Sequence, residues 1–89
     1  MEKPTGEVIT LMVGDDTIYL KKPSRAVVGL CLTKGAVNPV AQAEVIIENC
    51  YCGGSLGKEA ILADTGLLLG INSKMQEILG VKVVEVKNS

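Results

Sequence analysis

The sequence predicts an α+β fold, in which an N-terminal β-hairpin packs on about three helices. Two β-branched runs, EVITLMV and TIYLKK, flank Gly14-Asp15-Asp16 within residues 7–22, which is typical of a hairpin. From residue 24 to residue 89, apolar residues recur mostly at helical spacing. The chain has 89 residues and carries no repeat or linker, so we expect residues 1–89 to form a single domain.

The N-terminal region divides into a tail and a hairpin. Residues 1–6 are polar and are predicted to be flexible. In the first strand, one face carries Ile9, Leu11 and Val13, and the other carries Val8, Thr10 and Met12. Because both faces are largely apolar, we expect this strand to be covered on more than one side.

A first helix is predicted from Arg25 to about Lys34. Pro23 ends the preceding strand, because it cannot donate a hydrogen bond to a strand ladder. Ser24 then stands at the N-cap position. The side chains expected to face inward are those of Val27, Leu30 and Cys31.

The segment from Asn38 to Gly54 has the most clearly marked ends. Asn38 can cap a helix, and Pro39 suits the first turn. An apolar stripe at helical spacing is formed by Val40, Ala43, Ile46, Ile47 and Cys50. Gly53 and Gly54 are predicted to supply the left-handed geometry that ends this helix.

The C-terminal third allows alternatives. The spacing predicts a helix over Thr65–Leu79 that begins either there or near Lys58, with Gly66 and Gly70 tolerated inside it and Gly80 ending it. The segment VKVVEVK, residues 81–87, is compatible with a strand or with more helix.

Composition bounds the classes of function. Hydrophobic residues make up 47% of the chain, more than a small monomer easily hides, which favours burial against a partner or a second copy. The net charge is −1 without a basic run, so no nucleic-acid partner is expected. No apolar run reaches the roughly 18–20 residues of a membrane span, and the first residues do not read as a signal peptide. We therefore expect a cytoplasmic protein.

The candidate chemical motifs are weak. Cys50 and Cys52 are separated by one residue, the chain has no histidine, and the pair follows a helix C-terminus, which disfavours both metal and redox sites. Gly57-Lys58 is followed by Glu59 in place of the Ser or Thr of a phosphate-binding loop. We therefore expect no enzyme activity, cofactor or metal. The alternative that stays open is a small accessory or regulatory subunit with a ligand-binding loop at Cys52–Lys58.

Two short motifs carry a family resemblance. The first is the corner KPSR, and the second is a helix that ends in ENCYCGG. The matching residues are Lys22, Pro23, Ser24, Arg25, Glu44, Asn49, Cys50, Gly53 and Gly54. With this order of elements, the chain resembles small phage and prophage tail assembly chaperones.

The resemblance implies a protein without catalytic activity. Such proteins bind the long helical tape-measure protein before the tail tube forms around it, and they shield its apolar stripe. For this chain, the resemblance implies binding of a tape-measure client through apolar helix faces, self-association into a homo-oligomer, and a location in the host cytoplasm. It also favours helix over strand for residues 81–87.

Overall fold

The computed structural model describes residues 7–35 and 37–87, and it confirms the α+β class. The predicted flexible segment 1–6 lies outside the described residues. The strands are β1 Val8–Val13, β2 Asp16–Lys21 and β3 Tyr51–Gly54. The helices are α1 Arg25–Gly35, α2 Pro39–Cys50, α3 Lys58–Leu62, α4 Thr65–Asn72 and α5 Met75–Leu79.

The predicted hairpin is confirmed. Strands β1 and β2 pair antiparallel from Val8 opposite Lys21 to Val13 opposite Asp16. Gly14 begins the two-residue turn with φ +60°, a conformation that glycine adopts without steric cost. The expectation that both faces of β1 are covered is wrong for the described residues, because Met12 is 67% exposed. Only the face that carries Ile9, Leu11 and Val13 packs against the core.

Helix α1 begins at the predicted cap. The Ser24 Oγ accepts a hydrogen bond from the Val27 N–H at 3.3 Å, which satisfies a donor of the first turn. Cys31 is fully buried, as predicted, but Leu30 is 44% exposed, so its inward prediction is wrong. The stripe that faces α2 is centred on Val27 and Cys31, four residues apart, and Leu30 lies beyond its margin.

Helix α2 lies at the centre of the fold and packs against α1, α3 and α4. The Asn38 Oδ1 accepts from the N–H groups of Val40 at 2.9 Å and Ala41 at 3.4 Å, which confirms the predicted cap. The predicted stripe is also confirmed, since four of its residues are buried and Val40 packs against the core. The core as a whole is aliphatic and consists of Ile18, Leu20, Cys31, Ala43, Val45, Ile46, Ile47, Cys50, Ile61, Leu68, Ile71, Met75 and Ile78.

The predicted end of α2 at Gly53 and Gly54 is wrong. The helix ends at Cys50, and the chain passes directly into β3, which pairs antiparallel with β2 and makes β2 the central strand. Gly53 has φ +141° and Gly54 has φ +129° within this strand. A Cβ on Gly54 would lie 2.3 Å from the Thr17 carbonyl oxygen. The glycine therefore permits close strand pairing instead of ending the helix.

The structure has three short helices, α3, α4 and α5, where the sequence predicts one C-terminal helix. The Asp64 side chain accepts from the Leu67 N–H at 3.1 Å, so it caps α4 and separates α4 from α3. Gly80, with φ +73°, ends α5 as predicted. Residues 81–87 form neither of the predicted elements, since they have no regular secondary structure and all of them are exposed. Among the described helices, none is long and apolar enough to cross a membrane.

Candidate functional site

The first motif group forms a solvated corner between β2 and α1. The Lys22 Nζ lies 3.9 Å from the Glu7 Oε2, and both side chains are more than two-thirds exposed. Such an exposed ion pair contributes little to stability. Ser24 caps α1, and Pro23 is half-buried at the corner, so these residues have local structural roles. Arg25 is exposed, and it begins α1.

The second motif group lies where α2 meets β3. The Asn49 Nδ2 donates to the Val45 carbonyl oxygen at 2.8 Å, one turn earlier in the same helix. Cys50 is buried in the core, whereas Glu44 is half-buried along α2. Gly54 lies against β2. Within the described residues, no hydrogen bond or ion pair joins this group to the Lys22 corner. The motif therefore marks two separate structural junctions.

Two of the three thiols, those of Cys31 and Cys50, are buried. Burial raises the pKa of Cys31 above its ordinary value of 9.0, and the neighbouring Cys50 raises it further. Burial also raises the pKa of Cys50, against a partial lowering by Lys21. A raised pKa disfavours the thiolate, which is the nucleophilic and metal-binding form. All three cysteines are free, and the described residues bring together no group of three or more metal-ligating side chains.

The candidate ligand loop at Cys52–Lys58 is held by the protein's own groups. Cys52 lies in β3, so its predicted loop position is wrong. The Ser55 Oγ accepts from the Thr17 N–H at 2.8 Å and donates to the Asp16 Oδ1 at 2.9 Å. The Lys58 Nζ donates to a carbonyl oxygen of α2 at 3.1 Å. These contacts fasten the loop to the hairpin and to α2.

A first groove lies among α1, α2, α4 and α5, and we call it the helix groove. It has a volume of about 640 Å³ and is lined by Leu32, Gln42, Asn72, Met75 and Leu79, together with Ser73, Lys74, Gln76, Glu77 and Val81. The Gln42 Nε2 donates to the Cys31 carbonyl oxygen at 3.2 Å, and the Asn72 Nδ2 donates to the Gln42 Oε1. This chain of hydrogen bonds joins α1, α2 and α4 at the groove. Leu32 on the α1 side is 58% exposed.

A second groove lies between β1 and the α4–α5 region, and we call it the strand groove. Its volume is about 710 Å³. Its apolar lining includes Ile9, Leu11, Leu67, Ile71 and Ile78, and its charged lining is Asp64, Lys74 and Glu77. Because the sheet order is β1-β2-β3, this groove runs along a free edge of the sheet. Sequence reasoning missed both grooves, since each depends on how distant elements are placed.

Comparison with known proteins finds no family model, curated protein or solved structure that matches the chain. The resemblance to tail assembly chaperones therefore stays a prediction.

Proposed function

We propose that this chain is a non-enzymatic protein-binding module that holds an apolar helix of a client protein in the helix groove. Within that class, we propose a tail assembly chaperone whose client is a tape-measure protein. The observation that carries the proposal is the outer side of α1. This helix exposes Leu30 and Leu32, and Leu32 forms one wall of the helix groove.

The lining of the helix groove fits an amphipathic helix. Leu32 on the α1 side and Leu79 on the α5 side offer aliphatic contacts, and the buried Met75 lies beneath them with a side chain that adapts its shape. Lys74 and Glu77 place opposite charges at the rim, where they can meet the polar flanks of a helix. An apolar stripe laid in such a groove is removed from water, which is the physical basis of helix-in-groove recognition.

The tail-chaperone proposal rests further on the two motif groups and on composition. The motif residues at Lys22–Arg25 and Asn49–Gly54 carry the sequence resemblance on which this proposal rests. The chain has two Tyr, no Phe and no Trp, and it is 47% hydrophobic. Aliphatic surface of this kind suits repeated packing along a long client and against other copies of the chain.

The rival function, a regulatory subunit with a ligand loop at Cys52–Lys58, has no observation in its favour. Tyr51 Oη donates to the Leu56 carbonyl oxygen at 2.7 Å and closes the loop on itself. A nucleotide or metal ion that bound there would raise the melting temperature by mass action. We expect ATP with Mg²⁺, and Zn²⁺ alone, to leave the melting temperature unchanged.

The test is co-expression with a fragment of the tape-measure protein encoded in the same phage or prophage. We expect the wild-type chain to keep the fragment soluble and to co-purify with it. Leu32→Glu places a charge in the groove wall and should lower the captured amount at least tenfold. Since Leu32 is largely exposed, the variant should fold.

Thr33→Glu is the matched control. Thr33 is exposed on the same helix and does not line the helix groove. The substitution therefore adds the same negative charge outside the proposed site. We expect its capture to stay within twofold of wild type. Failure of the wild-type chain to capture the fragment, or equal capture by the Leu32→Glu and wild-type chains, would overturn the proposal.

A further inference from the structure

Strand β1 has a free edge with unused hydrogen-bonding groups. Val13 and Asp16 close the two-residue turn, so alternate residues of β1 exchange hydrogen bonds with β2, beginning at Val13. The intervening residues Thr10 and Met12 direct their N–H and C=O groups away from β2. Within residues 7–35 and 37–87, no backbone hydrogen bond reaches β1 from outside the hairpin. This edge is a template for a further strand.

The C-terminal segment 81–87 has the character of a strand without a partner. Four of its seven residues are valines, and the least exposed of them, Val81, is 62% exposed. Val83 is 95% exposed. Valine is enriched in strands because its branched side chain packs well on a pleated surface. A segment of this composition in water carries apolar area that strand pairing would bury.

Helix α5 ends in a hydrogen-bonded cap at the start of this segment. The Gly80 N–H donates to the Glu77 carbonyl oxygen at 3.2 Å, and the Val81 N–H donates to the Gln76 carbonyl oxygen at 3.0 Å. This pair of bonds is a Schellman motif, which fixes the direction in which the chain leaves a helix. The longest dimension of the molecule is 52 Å, and its radius of gyration is 14.0 Å. A compact chain of this length would have a radius of about 12 Å.

We propose that residues 81–87 of a second copy pair with the free edge of β1 and place the valines of one strand face, either Val81 and Val83 or Val84 and Val86, in the strand groove. Seven extended residues span about 23 Å, and the six residues of β1 span about 20 Å. The segment carries Lys82, Glu85 and Lys87, a net charge of +1, whereas the groove carries Asp64, Lys74 and Glu77, a net charge of −1. Length, apolar character and charge therefore match. The inference rests on the self-association within the proposed function. Lys74 and Glu77 line both grooves, whereas Leu32, Met75 and Leu79 do not line the strand groove and stay available to a client.

The test uses a chain that ends at Val81, which keeps the Val81 side chain in the helix groove and its N–H bond to Gln76, and a labelled peptide of residues 81–89. We expect the full-length chain to form dimers or larger assemblies by light scattering, and the shortened chain to be monomeric. The peptide should bind the shortened chain, measured by fluorescence anisotropy. Thr10→Pro removes an outward N–H that the hairpin does not use, and edge strands tolerate proline. It should weaken peptide binding at least tenfold, whereas Thr10→Ala, the matched control, should stay within threefold of wild type.

A second measurement covers the case in which Thr10→Pro does not fold. Added strands use the N–H groups of alternate residues only. One peptide is therefore N-methylated at Val81, Val83 and Glu85, and another at Lys82 and Val84. We expect one of the two to lose binding at least tenfold while the other keeps it. Equal binding of both peptides would overturn the inference.

The inference would also be overturned if the full-length chain stayed monomeric, or if the peptide did not bind the shortened chain. Protection of the β1 amides from hydrogen exchange in a full-length monomer would overturn it as well, because the segment would then fold back on its own β1. Capture of the tape-measure fragment by the shortened chain separates the two proposals. If capture persists while the peptide does not bind, the strand-exchange inference fails and the proposed function stands.

Discussion

Gly54→Ala is the substitution whose effect follows most directly from the fold. The new Cβ would lie 2.3 Å from the Thr17 carbonyl oxygen and 2.9 Å from the Ile18 Cα, and neither backbone atom belongs to a flexible side chain. Gly54 also has φ +129°, a conformation that residues with a Cβ rarely adopt. The variant must therefore move β3 away from β2.

The expected loss in the free energy of unfolding of Gly54→Ala has two sources. The backbone conformation alone costs about 1–3 kcal/mol for a residue with a Cβ. Movement of β3 also weakens the Ser55 N–H to Thr17 carbonyl bond of 2.8 Å, and the Thr17 N–H to Ser55 Oγ bond of 2.8 Å. Such bonds contribute about 0.5–1.5 kcal/mol each. We expect a total loss of about 2–6 kcal/mol, a large part of the stability of a domain whose total is about 4–13 kcal/mol.

Urea unfolding followed by circular dichroism measures this loss. Gly29→Ala is the matched control, because Gly29 lies within α1 and a Cβ there meets nothing within 4 Å. It should stabilise the chain by about 0.5–1 kcal/mol through helix propensity. A Gly54→Ala chain that loses less than about 1 kcal/mol would refute the close packing of β3 on β2.

Two further predictions concern the α2 cap and the buried thiols. Asn38→Ala removes the acceptor of two N–H groups and should lower the free energy of unfolding by about 1 kcal/mol in urea, while Asn38→Asp should stay near wild type. The pKa values of Cys31 and Cys50 are raised above 9.0 in the folded chain, so the unfolded chain releases these protons first. Their stabilisation is complete below pH 9.0 and is lost as pH rises from there through the folded pKa values. Cys31→Ala should flatten this alkaline decline in the free energy of unfolding relative to the wild-type chain. Equal slopes in the variant and the wild-type chain would contradict the burial argument.

Local signals predicted the elements that depend on neighbouring residues. Asn38 and Pro39 define the start of α2 because an N-cap acts within three residues, and the apolar stripe defines its buried face because helical periodicity is local. The Gly14 turn likewise follows from the chemistry of two residues. These predictions are confirmed by contacts that lie within one element or one turn.

The errors share a different cause, which is tertiary contact. Gly53 and Gly54 have the sequence signature of a helix end, but their positive φ angles serve a strand that pairs with a hairpin more than thirty residues earlier. Leu30 was expected inside because its spacing fits, yet the position of α2 decides which stripe of α1 is covered. Both grooves are formed by elements distant in sequence, so no local pattern indicates them. The motif residues that carry the family resemblance lie at two structural junctions instead of in either groove.

The most direct test of the central claim, that the helix groove is the client-binding surface, is an NMR titration of the isotope-labelled chain with the tape-measure fragment. At 89 residues, the backbone amides can be assigned and followed one by one. We expect chemical-shift changes of the backbone amides in α1 around Leu32 and in α5 around Met75, with little change from Cys52 to Lys58. A spectrum that stays unchanged at saturating fragment, or shift changes concentrated at Cys52–Lys58, would contradict it.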